Sequence, residues 1–333
     1  RSDAAHGQRY LRFAFCRSLG VLRDAGDADG VPPPPSALTR QSSFDKLHGG
    51  KKEDTLYALL AAEKHREEKQ KEEAKERAAA AAMDGVFAIW TPEDVADVPP
   101  IDFRATKYTG LEPYRQPVLA QDRVRYVGEP VAAVFAASPA AAEDAAAMVF
   151  ADIEALHPVL DAAATPGPFA EGVDTEATII EKGYGDVDAA FAAASDVVEL
   201  DLRIGRHTGV PLECRGGLAR VNPDTGVLEF YGATKRPHPN RDLIARTLNL
   251  DPAKVLLVEG NVGGGFGVRG ELYPEDFLIC AAAIKFSRPV RWIEDRREHL
   301  LAANHSRQQR HRIRAAIDSL GKILAIDNRV FHD

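Results

Sequence analysis

Five glycines fall within eight residues: Gly263, Gly264, Gly265, Gly267 and Gly270, with Phe266, Val268 and Arg269 between them. No other stretch limits the fold so strongly. A strand predicted over residues 254–259 ends just before the cluster, and a helix predicted over 273–285 begins just after it. A strand, a glycine loop and a helix in that order aim several backbone N–H groups and the positive end of the helix dipole at one point, where an anion can sit. Glycine allows the main chain to approach a ligand closely, because no Cβ stands in the way. The loop therefore suggests a phosphate-bearing ligand. The alternative is a tight turn with a purely structural purpose.

Gly265, Gly267 and Gly270 also satisfy G-x-G-x-x-G, which raises a nicotinamide dehydrogenase binding its cofactor through residues 265–270. Two features oppose this. The acidic end of the next predicted strand, Glu294 and Asp295, comes later than the usual spacing of about 20 residues. Pro274, Glu275 and Asp276 start the helix late and bring carboxylates to where a pyrophosphate would lie. A P-loop is excluded, since Arg269, Gly270 and Glu271 stand where Gly-Lys-Ser/Thr is required.

The rest of the chain sorts into three blocks. Residues 1–83 read as an atypical extension: a polyproline run at 32–35, a polar linker over 41–52, and a densely charged helix over 53–82. That helix has the i,i+4 pairs Glu67 with Lys71 and Glu73 with Arg77, and reads as solvated. A role as a partner-binding interaction module is the other reading. Residues 84–165 form a compact α/β unit with strands over 85–91, 130–136 and 149–154 and a helix capped by Ser138. Residues 180–333 form a second unit, with a helix capped by Asp186, a strand over 197–204, a helix from Pro237, a strand over 289–293 and a helix from Asp295. It closes on a hairpin of 308–316 and 322–331 around Ser319, Leu320 and Gly321.

Bulk properties add exclusions. A net charge of −8 gives no general attraction to nucleic acid or anionic membrane. The basic cluster of Arg307, Arg310, His311, Arg312 and Arg314 reads as one solvated face of a strand. The apolar runs are too short to span a bilayer, and residues 1–8 lack the apolar core of a secretory signal. Cys16, Cys214 and Cys280 cannot supply an iron–sulfur cluster, which takes four organised thiolates. No zinc-type spacing is present among His299, His305 and His311, and no metal ligation by protein side chains is expected. A cytoplasmic protein is the expectation.

Further motifs stand in a fixed order along the chain. Val124, Arg125, Tyr126, Val127, Gly128, Glu129, Pro130 and Val131 read V-x-Y-V-G-E-P-V. Ala142, Glu143, Asp144 and Ala145 follow on a helix. Pro211, Leu212 and Glu213 read P-x-E, and residues 263–267 read GGxFG. Arg288, Pro289, Val290, Arg291 and Trp292 precede Glu294, Asp295 and Arg296. In this order the set resembles the front part of a molybdenum-cofactor hydroxylase large subunit, of the xanthine dehydrogenase, aldehyde oxidase and carbon monoxide dehydrogenase family, over residues 83–333.

The resemblance implies an α+β chain: an α/β hammerhead domain followed by the first part of a mixed α/β molybdopterin-binding domain, with a partly disordered or helical N-terminal extension. It implies a molybdenum–molybdopterin cofactor, with a cytosine dinucleotide form compatible, that hydroxylates an aldehyde, an N-heterocycle or carbon monoxide. Electrons would leave through iron–sulfur clusters and FAD on partner subunits of a hetero-oligomer. It assigns Gly264, Gly265, Phe266, Gly267, Arg269 and His207 to the cofactor's surroundings. Phe266 would lie near the metal's ligands or anchor the loop in the core. Glu213 reads as structural rather than as a general base. Val268, Arg269 and Gly270 stand where xanthine-type relatives have Gly-Lys-Glu, which argues against a purine substrate. The catalytic glutamate of the family is expected beyond Asp333, so this chain alone is expected to be inactive, and a non-catalytic remnant is the rival reading.

Overall fold

The computed structural model describes residues 9–15, 52–103 and 108–333 of the chain. In chain order these form β1 (Arg9–Phe15), α1 (Lys52–Ala81), β2 (Val86–Trp90), β3 (Pro130–Ala136), α2 (Pro139–Met148), β4 (Pro168–Ala170), β5 (Val173–Asp174), α3 (Val187–Ala192), β6 (Asp196–Ile204), β7 (Gly216–Val221), β8 (Leu228–Gly232), α4 (Pro237–Thr247), β9 (Val255–Val258), α5 (Pro274–Phe286), β10 (Val290–Ile293), α6 (Arg296–Ala302), β11 (Gln309–Ile317) and β12 (Ile323–His332).

One seven-stranded mixed sheet, in the order β2-β3-β1-β10-β7-β8-β9, runs through both α/β units. β1 is the seam: it pairs antiparallel with β3 and parallel with β10. This corrects the reading of residues 1–83 as linker followed by helix, because residues 9–15 are an interior strand. The expected polyproline run at 32–35 and residues 41–51 of the expected linker lie outside the described residues, and Lys52 begins α1. Phe135 on β3 meets Trp90 on β2 edge-on at 4.6 Å and Phe286 at the end of α5 at 5.1 Å. A single apolar core thus continues from there through Phe230, Ile244, Phe277, Ile279 and Trp292.

The caps expected from sequence are in place. The Ser138 hydroxyl accepts from Ala141 N–H, the Asp186 carboxylate from Ala189 N–H and the Asp295 carboxylate from Glu298 N–H, each satisfying a backbone donor that the first helical turn leaves free. The expected strand at 149–154 is absent. Its polar groups are taken by α1 instead: Asp152 N–H donates to Glu73 Oε1 at 2.7 Å, and its carboxylate pairs with Lys69. The same contacts correct the picture of α1 as wholly solvated. Its last turns dock, with Ala80 fully buried against Val134, Ala145 and Ala146.

β6, β11 and β12 form a separate three-stranded antiparallel sheet, with Ile313 opposite both Leu200 and Asn328. The basic residues lie on a strand as expected, and the structure adds ion pairs across it: Arg310 reaches Asp201 at 2.6 Å and Arg314 reaches Glu199 at 3.2 Å. Among the described residues no helix is long and apolar enough to cross a membrane.

Candidate functional site

The glycine cluster leaves the end of β9, an edge strand, and returns to the body of the protein at α5. Gly264, Phe266 and Gly267 all have left-handed backbones, with φ of +110°, +47° and +91°. Such angles cost a residue with a Cβ on the order of 1 kcal/mol, so Phe266 holds its conformation only because its neighbours impose it. Two internal bonds tighten the turn: Val268 N–H donates to Gly265 O at 2.9 Å and Gly270 N–H to Gly267 O at 3.2 Å.

The P-x-E segment braces the loop from behind. Gly263 N–H donates to Glu213 Oε2 at 2.8 Å, while Glu213 N–H donates back to Gly263 O at 3.2 Å. A Cβ on Gly263 would come within 2.5 Å of Glu213 Cβ, so only glycine allows this approach. Glu213 is therefore a loop anchor, as its structural reading held. Arg269 is turned inward and is 5% exposed. Its Nη2 donates to the carbonyls of Glu213 and Cys214 at 2.8 and 2.7 Å, so its side chain pins the two segments together rather than facing a ligand.

The other side of the loop is open. The N–H groups of Gly264, Gly265, Phe266 and Gly267 take no part in the internal bonds just described. Ideal Cβ atoms on Gly265 and Gly267 would meet nothing within 4 Å. Phe266 is 77% exposed, which removes the reading of it as a core anchor. Leu212 and Val210 on the neighbouring segment and Val262 just before the loop are exposed as well. His207 stands two residues before Gly209 and is exposed; its N–H donates to Ser306 Oγ and its carbonyl accepts from Ser306 N–H. Open backbone donors beside Cβ-free space are what a large anionic or polar group requires of a loop, so the residues present fit a molybdopterin-type cofactor.

Beneath the loop lies an ionic cluster that spacing along the chain did not reveal. Arg215, 3% exposed, donates through Nε to Glu294 Oε2 at 2.8 Å and lies 3.4 Å from Glu275 Oε1. Its guanidinium also stacks 3.9 Å from the centre of the Tyr273 ring. Burial alone would favour the neutral form of Arg215, but the carboxylates of Glu275 and Glu294 outweigh it and hold the group charged. Burial raises the Glu275 carboxyl, opposed by Arg215. Burial also pushes Asp276 up to about 7 and Tyr273 up to about 12. Tyr273 O–H donates to Val268 O at 2.9 Å and so ties α5 to the loop.

The dinucleotide reading fails here. α5 starts four residues past Gly270, with Glu275 and Asp276 in its first turn. The strand after it, β10, is separated from β9 by β7 and β8, so no adjacent βαβ unit is formed.

Comparison with known proteins agrees with the geometry. Residues 171–333 match the family model for the molybdopterin cofactor-binding domain. Residues 75–157 match that for the aldehyde oxidase and xanthine dehydrogenase a/b hammerhead domain. The gamma subunit of the 6-hydroxypseudooxynicotine dehydrogenase complex of Paenarthrobacter nicotinovorans is 38% identical over 229 residues, covering 68% of this chain and 29% of the relative. The nicotine 6-hydroxylase large subunit of the same organism is 36% identical, covering 75% and 31%. The crystal structure of quinoline 2-oxidoreductase from Pseudomonas putida 86 superposes with a TM-score of 0.68 at 32% identity, covering 76% of this chain and 33% of that one. The chain thus spans about a third of the length of these relatives.

Proposed function

Because the chain belongs to the family of molybdenum hydroxylase large subunits, we propose that it forms the loop-bearing part of an oxidoreductase that hydroxylates an N-heteroaromatic substrate. The observation that carries this reading is the one-sided glycine loop, closed by Glu213 and Arg269 behind and open at Gly265 and Gly267 in front. Two of the three relatives described above are named for oxidising nicotine or quinoline, both N-heteroaromatic, which favours such a ring over an aldehyde or carbon monoxide.

The molybdenum centre, when bound, supplies the electrophile for hydroxylation. The chain's own residues bind and orient it. The N–H groups of Gly264, Gly265, Phe266 and Gly267 are the donors that hold the cofactor, as molybdopterin or as its cytosine dinucleotide. The Phe266 ring, with Val210 and Leu212, keeps water from the open side of the loop and offers a planar apolar surface to an aromatic substrate. His207 lies at the rim of the same segment. Arg269 acts from behind by fixing the loop's base. Iron–sulfur and FAD partner subunits complete the electron path in a cytoplasmic hetero-oligomer.

Gly265→Val tests the reading cleanly. Gly265 has no positive φ, and a Cβ there would meet no neighbour within 4 Å, so the added side chain fills only ligand space. The polypeptide carrying this sequence, purified with its partner subunits, is expected to hold one molybdenum per chain and to oxidise quinoline or nicotine with a dye acceptor. In the variant, molybdenum falls at least about tenfold, the scale seen when a partner of a bound metal group is lost, while the circular dichroism spectrum is unchanged. Full molybdenum in the variant would remove the loop from the cofactor site.

A further inference from the structure

His299, on α6, is fully buried, and both ring nitrogens face acceptors. Nδ1 lies 2.6 Å from Glu294 Oε1 and Nε2 lies 3.1 Å from the carbonyl oxygen of Gly209. A carbonyl has only lone pairs to offer, so Nε2 must carry a hydrogen. Glu294 is also committed as an acceptor: Oε1 takes Arg215 N–H at 2.6 Å and Oε2 takes Arg215 Nε at 2.8 Å. Nδ1 must therefore donate too. Only the imidazolium form of histidine donates from both nitrogens.

We propose that His299 is a positioning residue, held as a two-ended donor, which clamps the Gly209 carbonyl and thereby seats Phe266 at the tip of the glycine loop. The link to the cofactor rests on the reading of the loop given above; the link to Phe266 does not.

The step from Gly209 to the loop is steric. A Cβ on Gly209 would lie 3.0 Å from Val268 Cγ2 and 3.1 Å from both the Cβ and the carbonyl oxygen of Phe266. The Gly209 backbone thus packs close beside Phe266 and Val268 with no room for a side chain between them, and Phe266 is the one residue of the loop that carries a Cβ in a left-handed conformation. Anchoring that backbone at His299 keeps this close packing fixed. The groups facing His299 make the arrangement electrically coherent. Glu294 and Arg215 contact each other at its Nδ1 side, Glu275 on α5 adds a carboxylate 3.4 Å from Arg215, and Asp295, Arg296 and Glu298 lie on the turn of α6 below it. A buried cation is tolerated only with such partners.

The test reads the ring and the loop separately. In the chain labelled with 15N-histidine, His299, identified by its loss in His299→Gln, should show a hydrogen on both ring nitrogens. A single protonated nitrogen overturns the proposal, and this measurement needs no variant to fold well. A 4-fluorophenylalanine placed at Phe266 reports the loop. Gly209→Ala should shift both this 19F signal and the His299 Nε2 signal, because the two ends of the clamp move together. Unchanged signals in Gly209→Ala overturn the coupling. His299→Leu should move the 19F signal to the position of a freely rotating exposed ring, and molybdenum retention should fall about tenfold. If no form of the protein binds molybdenum, the loop reading fails, while the nitrogen and fluorine signals still decide the role of His299.

Discussion

The two sheets of this protein solve the same problem in opposite ways. The seven-stranded sheet is covered on both faces around its middle: β3 is an almost unbroken apolar run, with Ala133, Val134, Phe135 and Ala136 all fully buried. The three-stranded sheet alternates. One face of β6 and β12 carries Val198, Leu200, Leu202, Ile204, Ile326 and Val330, each exposed, and the opposite face carries charges paired across strands. Covered regions tolerate charge only when it is paired: Arg215, Glu275, Glu294 and His299 form one buried cluster under the loop, and the buried Glu129 and Glu229 are each paired with an arginine. The open sheet can scatter its ion pairs because water screens them. A precise backbone site needs the first kind of support.

The contrast is sharpest in two arginines. Arg215→Ala strips a buried cation from two buried carboxylates, and leaving them unpaired costs about 3–5 kcal/mol. Urea unfolding followed by tryptophan fluorescence should show that loss, since Trp292 lies 5.3 Å from the guanidinium. Arg310→Ala, on the open sheet, should leave the unfolding midpoint almost unmoved. Equal effects from the two would mean that the cluster under the loop is not a cooperative unit.

Much of this was legible in the sequence, and the failures have physical causes. Caps are local, so Ser138, Asp186 and Asp295 announced their helices. The ordered motifs located the loop and the P-x-E brace, because each motif needs only its own neighbours to be recognised. β1 was not legible: an interior strand of seven residues is defined by β3 and β10 on either side, and a polar, proline-rich stretch follows it. The ionic cluster was hidden for the same reason. Glu275 and Glu294 lie 60 and 79 residues from Arg215, and His299 lies 90 from Gly209. Arg269 was assigned to the cofactor by its place in a motif, whereas its guanidinium turns to Glu213 and Cys214 because a buried cation must find acceptors.

A smaller effect separates the regions by pH. Burial raises the Asp276 carboxyl from an ordinary 3.8 to about 7. Between about pH 4 and pH 7 the folded chain therefore keeps a proton that the unfolded chain has released. Stability from this group falls as pH rises through that window and is level above it. Asp276→Asn keeps an oxygen to accept the Tyr273 N–H and removes the titration. Its unfolding midpoint should vary less between pH 4 and 7 than that of the parent chain. An unchanged pH profile would assign the slope to another group.

The smallest effect is expected where the open sheet is most apolar. Leu200 sits at the centre of β6, 51% exposed, with Ile313 beside it on β11. If that face meets water, Leu200→Lys changes stability by no more than about 0.5 kcal/mol, the range of ordinary surface substitutions. A lysine there can also lay its methylenes along the apolar strip and keep its amine in solvent. A loss of about 2 kcal/mol or more, growing with protein concentration, would show instead that the face is covered in solution by another copy of the chain. The difference between the two sheets would then be one of partner rather than of design.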